Sequence, residues 1–456
     1  MYTFQDFMSY VASDGVGEAV RRALTAHRTS DLYTTALEAD EYDHQRNTTI
    51  MNYQKYLYSA AGRKSVDVLA SNNKLCSNFF SRLNTQRMSY SLGNGVSFNA
   101  ENIKESLGLQ FDTRLNNAAY FALIHGVSFL FWNLDHVHVF PVTEFAPLWD
   151  EETGALRAGV RYWQIDSKKP IMAVLYAEDG YTLLRGNSKG SVYEVKEEKR
   201  AYRITTAKAP ADAEPEIVGE ENYGSLPIIP LWGSRLHQST LVGLKGKIDA
   251  YDLISSGLAN DFQDCAEIYW IVSNAGGMDD SDLARFRDRL KLQHIANVAD
   301  ADEASVTPYT QEIPTASRTA CLSELRSAIY EDFGALDVHT VSAGATNDHI
   351  DAAYQPMDEN ADDFEYQIIE AVQRILALQG KEDTPIFKRN RISNQKELVE
   401  MIMLCANYLD EQTILEKLPF ITPDEVKGIM AKNEDRQLKQ YGDIEEEDQE
   451  EEEEEQ

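Results

Sequence analysis

Hydrophobic and polar positions follow two different periods along the first half of the chain. From Lys74 to Tyr90 apolar side chains recur every three or four residues, which predicts an amphipathic helix, and residues 112–125 predict another. From Val127 to about Ile204 the period becomes two, and turn sequences separate the runs at 152–154, 178–180 and 187–190. The pattern predicts a helical start followed by antiparallel hairpins.

The second half is mainly helical. Residues 226–233 include two prolines, so they are extended. Apolar residues spaced by three and four from Leu241 to Tyr269 then predict a helix of about 30 residues within 237–273, about 45 Å long at 1.5 Å per residue. Further helices are predicted over 317–336 and 357–380, with a small, polar segment rich in Gly and Ala between them. Short helices follow in 394–432, and the fold class is α+β.

The net charge restricts the possible functions more than the amino-acid composition does. The 456 residues include 43 Lys and Arg against 75 Asp and Glu, which gives a net charge of −32. Residues 443–456 hold 11 acids and no base, so we expect a solvated, disordered tail, and the remainder still carries −21. A protein that grips DNA through phosphates needs a basic face, so general DNA binding is excluded, whereas a surface that repels passing DNA is not.

Other features of the composition point to a soluble protein made inside the cell. The four cysteines lie far apart, which argues against a zinc cluster or a disulfide scaffold. The longest apolar run, 122–132, is shorter than the roughly 20 residues of a membrane span. The first residues show no basic region followed by an apolar stretch, so no secretory signal is expected.

Motifs for catalysis or cofactor binding are missing. The sequence has no phosphate-binding or dinucleotide-binding glycine pattern, and no nucleophile elbow. His136 and His138 share one face of a strand, yet they lack a nearby third ligand, so a solvated sheet face is favoured over a metal site. One dense basic patch stands out, and it is either a solvated surface or a contact to DNA or to a partner protein: Arg285, Arg287, Arg289 and Lys291. No enzyme activity, metal or cofactor is expected.

Several sequence blocks resemble the portal proteins of tailed bacteriophages, in the branch common among long-tailed phages of Gram-positive hosts. The first block is Asn72-Asn73-Lys74-Leu75 followed by Tyr90 to Val96. The second comprises Pro227 to Gly233, Asp249 to Asp252, Ser255, Ala259 to Asp261 and Tyr269 to Val272. The third is Leu409 to Thr413 with Leu418 to Ile421. The stretch 343–349 departs from the family, which often has Asn-Ser-Gly-x-Ala there.

The resemblance implies a ring of about twelve subunits around a channel at one capsid vertex. It implies the following parts: a mixed wing (1–236), a stem helix (237–273), a clip (274–316), a second stem helix (317–336), a channel loop (337–356), a wing helix (357–380), a crown (381–442) and the acidic tail (443–456). Double-stranded DNA would pass without sequence readout during packaging and ejection. The implied partners are the terminase large subunit, a head-tail adaptor, and the major capsid and scaffolding proteins. The protein would be assembled in the bacterial host cytoplasm and reside in the virion.

The residue pattern and the family resemblance together predict the site residues. The channel loop would present His339, Thr340, Ser342, Thr346, Asn347 and His349. Acids that fall off the apolar seam of the stem helix would face the channel: Asp249, Asp252, Asp261, Asp264 and Glu267. The seam itself would form the subunit interface: Leu241, Leu244, Ile248, Tyr251, Leu258 and Phe262. The basic quartet 285–291 would contact a clip partner.

Two other classes of protein remain open at this point. One is a different capsid-associated ring or adaptor protein, which only a central hole wide enough for DNA would separate from a portal. The other is an acidic multidomain hydrolase without a sequence signature, which a monomer with a deep pocket and close carboxylates would favour.

Overall fold

A computed structural model describes residues 2–58, 62–68, 70–206, 217–265, 269–273, 305–309, 314–338, 346–391 and 395–418, together with a few single residues beyond Asp280. The chain divides into two compact units. The first comprises residues 1–335 and 361–388, and the second comprises residues 336–360 and 389–456.

The first unit begins with helices. They are α1 (Phe4–Asp14), α2 (Val16–Arg28), α3 (Asp31–Asp43), α4 (Thr48–Asn52), α5 (Phe79–Leu92), α6 (Glu101–Ser106) and α7 (Phe111–His125). Short strands β1 (Tyr56–Tyr58), β2 (Lys64–Val66) and β3 (Val96–Ser97) lie among them. The predicted helix at 112–125 is confirmed. The helix predicted from Lys74 instead begins at Phe79, because the backbone N–H groups before it bond to side chains of another helix, as described below.

Strands dominate the region after α7, as the alternating pattern predicts. They are β4 (Val127–Asn133), β5 (His136–Pro141), β6 (Phe145–Trp149), β7 (Leu156–Trp163), β8 (Met172–Ala177), β9 (Gly180–Gly186), β10 (Tyr193–Arg200), β11 (Arg203–Thr206), β12 (Ile217–Glu221) and β13 (Ile228–Trp232). A five-stranded antiparallel meander has the order β10-β9-β8-β7-β6, and a three-stranded sheet has the order β13-β4-β5. All three predicted turns lie between paired strands of the meander, so they are confirmed.

Two apolar clusters cover the two faces of the meander. On one face α1 and α2 bury Phe7, Val20 and Leu24 against strand residues such as Leu184. On the other face, aromatic side chains of β4, β5 and β6 pack against Val174 and Tyr176. Alternation with period two is therefore visible in burial, because successive strand residues point to opposite faces.

Of the remaining residues, those that the structure describes are mostly helical. It comprises α8 (Leu241–Cys265), strands β14 (Tyr269–Ser273) and β15 (Ser305–Tyr309), α9 (Thr315–Phe333), α10 (Asn347–Leu378), strand β16 (Ile386–Phe387), α11 (Gln395–Leu404) and α12 (Glu411–Lys417). The residues of α10 from 361 onward belong to the first unit. There Phe364, Ile368 and Val372 are buried in a cluster with α7 and β4.

Two predicted boundaries in this half are wrong. The helix expected over 237–273 is 25 residues long and ends at Cys265, and the β-branched and aromatic residues 269–273 form a strand that pairs with β15. The loop expected over 337–356 ends early, because α10 begins at Asn347 and continues through Pro356. None of the described helices is both long and apolar enough to span a membrane.

Candidate functional site

The start of α8 is fixed by the turn that follows α7. Gly126 has φ of 91°, and a Cβ atom there would lie 2.8 Å from the backbone of Gln238 and Ser239. The Thr240 N–H donates to the carbonyl of Leu123 at 3.1 Å. The Leu241 N–H donates to Ser239 Oγ at 3.1 Å. This close approach, which only glycine allows, sets where α8 leaves the sheet region.

The first half of α8 is buried within its own chain. Leu241, Leu244 and Ile248 are at most 3% exposed. They pack in a cluster with residues of four other helices: Ala39, Tyr42, Phe80, Leu83, Ile124, Ile329, Tyr330 and Phe333. The prediction that Leu241, Leu244 and Ile248 form a subunit interface is therefore wrong. An apolar seam shows that a helix face is covered, but not which surface covers it.

Three polar side chains along α8 hold an extended segment, residues 73–77, which we name the ladder segment. The Ser77 N–H donates to Asp252 Oδ1 at 2.9 Å, and the Leu75 N–H donates to Ser256 Oγ at 2.9 Å. The Asn73 N–H donates to Asn260 Oδ1 at 2.6 Å. Side chains four residues apart lie on one face of a helix, and every second N–H group of an extended segment points to the same side. Each polar side chain of α8 can therefore accept from one N–H group of the ladder segment.

Asp252 is the most deeply buried part of this ladder, with an exposed fraction of 1%. Its second carboxylate oxygen accepts a hydrogen bond from Asn47 Nδ2. Burial raises the pKa of the Asp252 carboxyl, and the hydrogen bonds from Asn47 and Ser77 oppose that rise. The Asn47 Oδ1 atom is buried without a hydrogen-bond partner. Asp252 is thus a structural acceptor, and the prediction that it faces a channel is wrong.

Asp249 is also engaged inside its own chain. Its carboxylate accepts hydrogen bonds from Tyr42 Oη, from Thr49 Oγ1 at 2.8 Å and from Lys245 Nζ at 2.7 Å. The side chain is 14% exposed. Burial, followed by the bond to Asp249, raises the pKa of Tyr42. Asp249, predicted as a channel-facing acid, is thus largely buried among partners of its own chain.

Ion pairs join α8 to α9 at two levels. Lys247 pairs with Asp332, and Asp261 pairs with Arg318. Beside the second pair lies a cavity of about 290 Å³, lined by Leu253, Ile254, Gly257, Ser317, Arg318 and Cys321. Of the acids predicted to face a channel, Asp261 is partly exposed but paired. The side chain of Asp264 and the whole of Glu267 lie outside the described residues.

The second half of α8 is less covered than the first. Tyr251 is half-buried and makes an edge contact with Phe79, with 4.9 Å between ring centroids. Leu258 is half-buried, and Phe262 is 54% exposed one turn later. Leu258 and Phe262 are four residues apart, so they lie on one face. Leu258 and Phe262 can therefore contact a neighbouring molecule, whereas Leu241 and Leu244 are covered by their own chain.

The remaining predicted positions are only partly described. His339, Thr340 and Ser342 lie outside the described residues. Thr346 is exposed, and its carbonyl accepts from the Ile350 N–H at 3.0 Å, so it starts α10. Asn347 and His349 are in the first turn of α10, with His349 exposed. Of the basic quartet, Arg285 is described and exposed, while Arg287, Arg289 and Lys291 lie outside the described residues.

The two histidines of β5 bond to each other rather than forming part of a larger cluster. Their Nε2 atoms are 3.0 Å apart, and His136 Nδ1 lies 2.6 Å from Asp135 Oδ1. Burial lowers the pKa of His138, and the neighbouring His136 lowers it further. In the described part of the chain no group of three His, Cys, Asp or Glu side chains is arranged to hold a metal ion.

The hydrogen bonds between α8 and the ladder segment were not predicted from the sequence, although residues of both elements lie in the blocks that resemble portal proteins. Asn73 and Leu75 lie in the first resemblance block, and Asp252 and Asn260 lie in the second. Polar residues repeating at 252, 256 and 260 inside a helix of apolar character were a usable signal, because a buried polar stripe needs hydrogen-bond partners. The partner segment could not be identified from spacing alone, since it lies about 180 residues earlier in the chain.

Comparisons with known proteins agree with one another. A family model described as "Phage portal protein, SPP1 Gp6-like" matches residues 26–454. The chain is similar to the portal protein of Bacillus phage SPP1, with 23% identity over 427 residues, covering 85% of this chain and 80% of that protein. It is also similar to the portal protein of Clostridium phage phiCD119, with 25% identity over 214 residues, covering 45% of this chain and 48% of that protein.

A solved structure is also similar to this chain. It is titled "Neck of empty GTA particle computed with C6 symmetry", and the match has a TM-score of 0.42 and 10% identity. The match covers 74% of this chain and 88% of that one.

Proposed function

The chain belongs to the SPP1 Gp6-like family of phage portal proteins, a structural and not an enzymatic family, and on that premise we propose that it closes into a ring of about twelve copies. The ring would surround a channel for double-stranded DNA at one capsid vertex. DNA would pass through it during packaging and ejection without sequence readout. The protein would act as a conduit and an assembly hub in the virion.

The observation that best supports ring closure is the uneven cover of α8. The apolar seam of its first half, Leu241, Leu244 and Ile248, is buried by its own chain, whereas Phe262 is 54% exposed and Leu258 is half-buried. At 1.5 Å per residue this helix is about 37 Å long, so its second half can contact a neighbouring subunit while its first half packs on its own chain. We propose α8 and α9 as the stem helices, with Leu258 and Phe262 against the neighbouring copy.

The clip is proposed between β14 and β15. These strands pair antiparallel from Tyr269 with Tyr309 to Ser273 with Ser305, so Ser273 and Ser305 lie side by side. An insertion anchored by a two-stranded ribbon suits a docking element. We propose that it binds the terminase large subunit during packaging and a head-tail adaptor afterwards, with Arg285, Arg287, Arg289 and Lys291 as contacts. Assembly in the host cytoplasm with major capsid and scaffolding proteins completes the proposal.

The channel segment is proposed over 339–345, between α9 and α10. The segment is shorter than the sequence pattern indicates, because α10 begins at Asn347. His339, Thr340 and Ser342 would reach DNA, with Thr346, Asn347 and His349 at the start of α10. Asp264 and Glu267 remain the proposed channel-facing acids, since carboxylates repel phosphates and let a duplex slide.

Ring closure is tested by light scattering together with negative-stain images. The mass of one chain is 51.5 kDa, so a ring of twelve has a mass of about 600 kDa with a central hole. Phe262→Glu should abolish the ring and leave the circular dichroism spectrum unchanged, because the side chain is exposed in the single chain. Ile165→Glu, at an apolar residue in the β7–β8 turn that is even more exposed, is the control for the same change and should still form rings. Rings of full size from Phe262→Glu would contradict the proposed interface.

The channel segment is tested by replacing residues 339–345 with Gly and Ser at equal length. This change retains α10, including its buried residues Ile350 and Tyr354, which a longer deletion would remove. We expect rings of normal mass that fail to package DNA in an assembly assay. Normal packaging by this variant would mean that the segment makes no functional contact with DNA.

A further inference from the structure

Exposed cations gather at one end of the five-stranded meander, in a chain that is strongly acidic as a whole. They come from three separate segments, and we name them the basic edge: Arg28, Lys168, Lys169, Arg185 and Lys189. Lys168 and Lys169 lie in the turn between β7 and β8, and Lys189 lies in the turn between β9 and β10. Arg185 lies next to that second turn, and Arg28 ends α2.

Hydrogen bonds hold the two lysine-bearing turns together. Gln164 Nε2 donates to the carbonyl of Lys169 at 2.8 Å and to that of Ser188 at 3.1 Å. The Gly186 N–H donates to the carbonyl of Ile171 at 2.7 Å. Within the second turn, the Ser191 N–H donates to Asn187 Oδ1 at 2.9 Å. The lysines of both turns are therefore presented on one fixed surface.

The arginines extend this surface around the end of the sheet. The Arg28 guanidinium lies over the Tyr162 ring, 5.0 Å from its centroid, and its Nη1 is 3.9 Å from where a Cβ of Gly190 would be. Arg185 pairs in register with Met172, the first residue of β8. Both arginines thus lie beside the turns that carry the lysines.

The charges of the basic edge are not neutralised by neighbours. Among the described residues, none of its three lysines and neither of its arginines has an ion pair, whereas at the opposite end of the meander Lys199 pairs with Asp179 and Arg200 with Glu197. Asp166 is the one acid in the two turns, and its side chain accepts from the Lys168 N–H at 2.8 Å. Glu194 lies opposite Arg185 in the register of β10 and β9, so five cations and two acids give a local charge of +3 in a chain of −32.

We propose that the basic edge binds the phosphate backbone of duplex DNA from outside any channel, without reading the sequence. Phosphates are contacted by Lys and Arg together with hydroxyl groups and backbone N–H groups, and these turns also carry Ser167, Ser188 and Ser191. Protein interfaces, in contrast, are depleted in lysine. The proposed contact is independent of ring closure.

The test uses the full-length protein and covalently closed circular plasmid DNA. A closed circle has no end to thread through a ring, so its binding reports the outer surface alone. With about four phosphates neutralised, log K should fall with log salt at a slope of about −3.6, or roughly fifty-fold between 50 and 150 mM NaCl. Lys168→Glu with Lys189→Glu should weaken binding at 50 mM NaCl at least tenfold.

A matched variant and a second readout make the result decisive. Lys388→Glu with Lys417→Glu makes the same change in charge at two other exposed lysines and should bind plasmid within about twofold of the parent. Equal weakening by both double variants would overturn the proposal, because net charge alone would then explain the effect. The proposal also fails if the parent does not bind plasmid at 50 mM NaCl. Loss of ring mass with unchanged plasmid binding in the Lys168 and Lys189 variant would instead assign the basic edge to contacts between copies.

Discussion

The meander with its two helices and α8 with its ladder segment are specified by different forces. The meander is covered by α1 and α2 through apolar side chains such as Phe7, Val20 and Leu184. The ladder segment is held by directed hydrogen bonds to Asp252, Ser256 and Asn260. Apolar burial is non-directional, whereas each rung of the ladder has one geometry. The stability of the meander therefore depends on how well apolar side chains fill its core. The stability of the ladder depends on the register between α8 and the ladder segment.

Each region also buries a side chain that titrates in acid, His27 in one and Asp252 in the other, with opposite consequences for pH dependence. In the meander region, burial lowers the pKa of His27 to about 4, and His27 Nε2 lies 2.9 Å from the carbonyl oxygen of Val142. Beside the ladder segment, burial raises the pKa of Asp252. Both groups are shifted towards their neutral forms, because a low-dielectric interior disfavours charge. Lowering the pH should therefore destabilise the region around His27 and stabilise the region around Asp252.

The largest effect should come from emptying the apolar core of the meander. Leu184→Ala removes a side chain that is fully buried, so we expect a loss of about 4 kcal/mol in the free energy of unfolding, measured by urea denaturation. Arg185→Ala, at the next and exposed residue, is the control and should change stability by less than about 0.5 kcal/mol. A small loss at Leu184 would mean that the meander does not depend on packing volume.

Titration of His27 should give the second largest effect. Its folded pKa of about 4 lies below the usual 6.5, so its stabilisation is complete above pH 6.5 and is lost as the pH falls towards 4. The expected loss is about 3 kcal/mol. His27→Gln, which can still donate to Val142, should flatten this part of the stability curve. Carboxylates with lowered pKa, such as Asp150 at about 2, act at lower pH and do not obscure the comparison.

Removing the most deeply buried rung of the ladder should have an intermediate effect. Asp252→Ala leaves the part-buried Ser77 N–H without an acceptor and leaves Asn47 Nδ2 with the Ser77 carbonyl as its remaining acceptor, so we expect a loss of about 2 kcal/mol at pH 7. Asp252→Asn should lose less than half of that, because its oxygen can still accept and its amide can donate to the unpaired Asn47 Oδ1. If the two variants unfold at the same urea concentration, hydrogen bonding at Asp252 does not hold the ladder segment.

The smallest effect should come from the ion pair between α8 and α9. Arg318→Ala should reduce stability by less than about 1 kcal/mol, since both partners are about one-third exposed and screened by solvent. Exchanging the charges, with Asp261→Arg and Arg318→Asp, should restore the parent value in 50 mM NaCl. A loss of several kcal/mol from Arg318→Ala would place this pair among the buried determinants of the stem.

These comparisons show why some predictions from sequence hold and others do not. The hairpin turns at 152–154, 178–180 and 187–190 are correct, because turn chemistry and strand alternation are local properties. The assignment of Leu241 and Leu244 to a subunit interface is wrong, because periodicity does not distinguish an intrachain partner from a neighbouring copy. The basic edge was missed, because its five cations come from three segments that only pairing of the strands brings together.

The sequence by itself determined the order and type of most elements, the acidic character of the chain and the family resemblance that the family match confirms. Only the tertiary structure decided that Asp252 is a buried acceptor, that Phe262 is exposed, and that Lys168 and Lys189 share a surface. The physical reason is the distance along the chain over which each interaction acts. Helix and turn preferences act over a few residues, whereas burial, pKa and the gathering of charge depend on contacts between residues far apart in the chain.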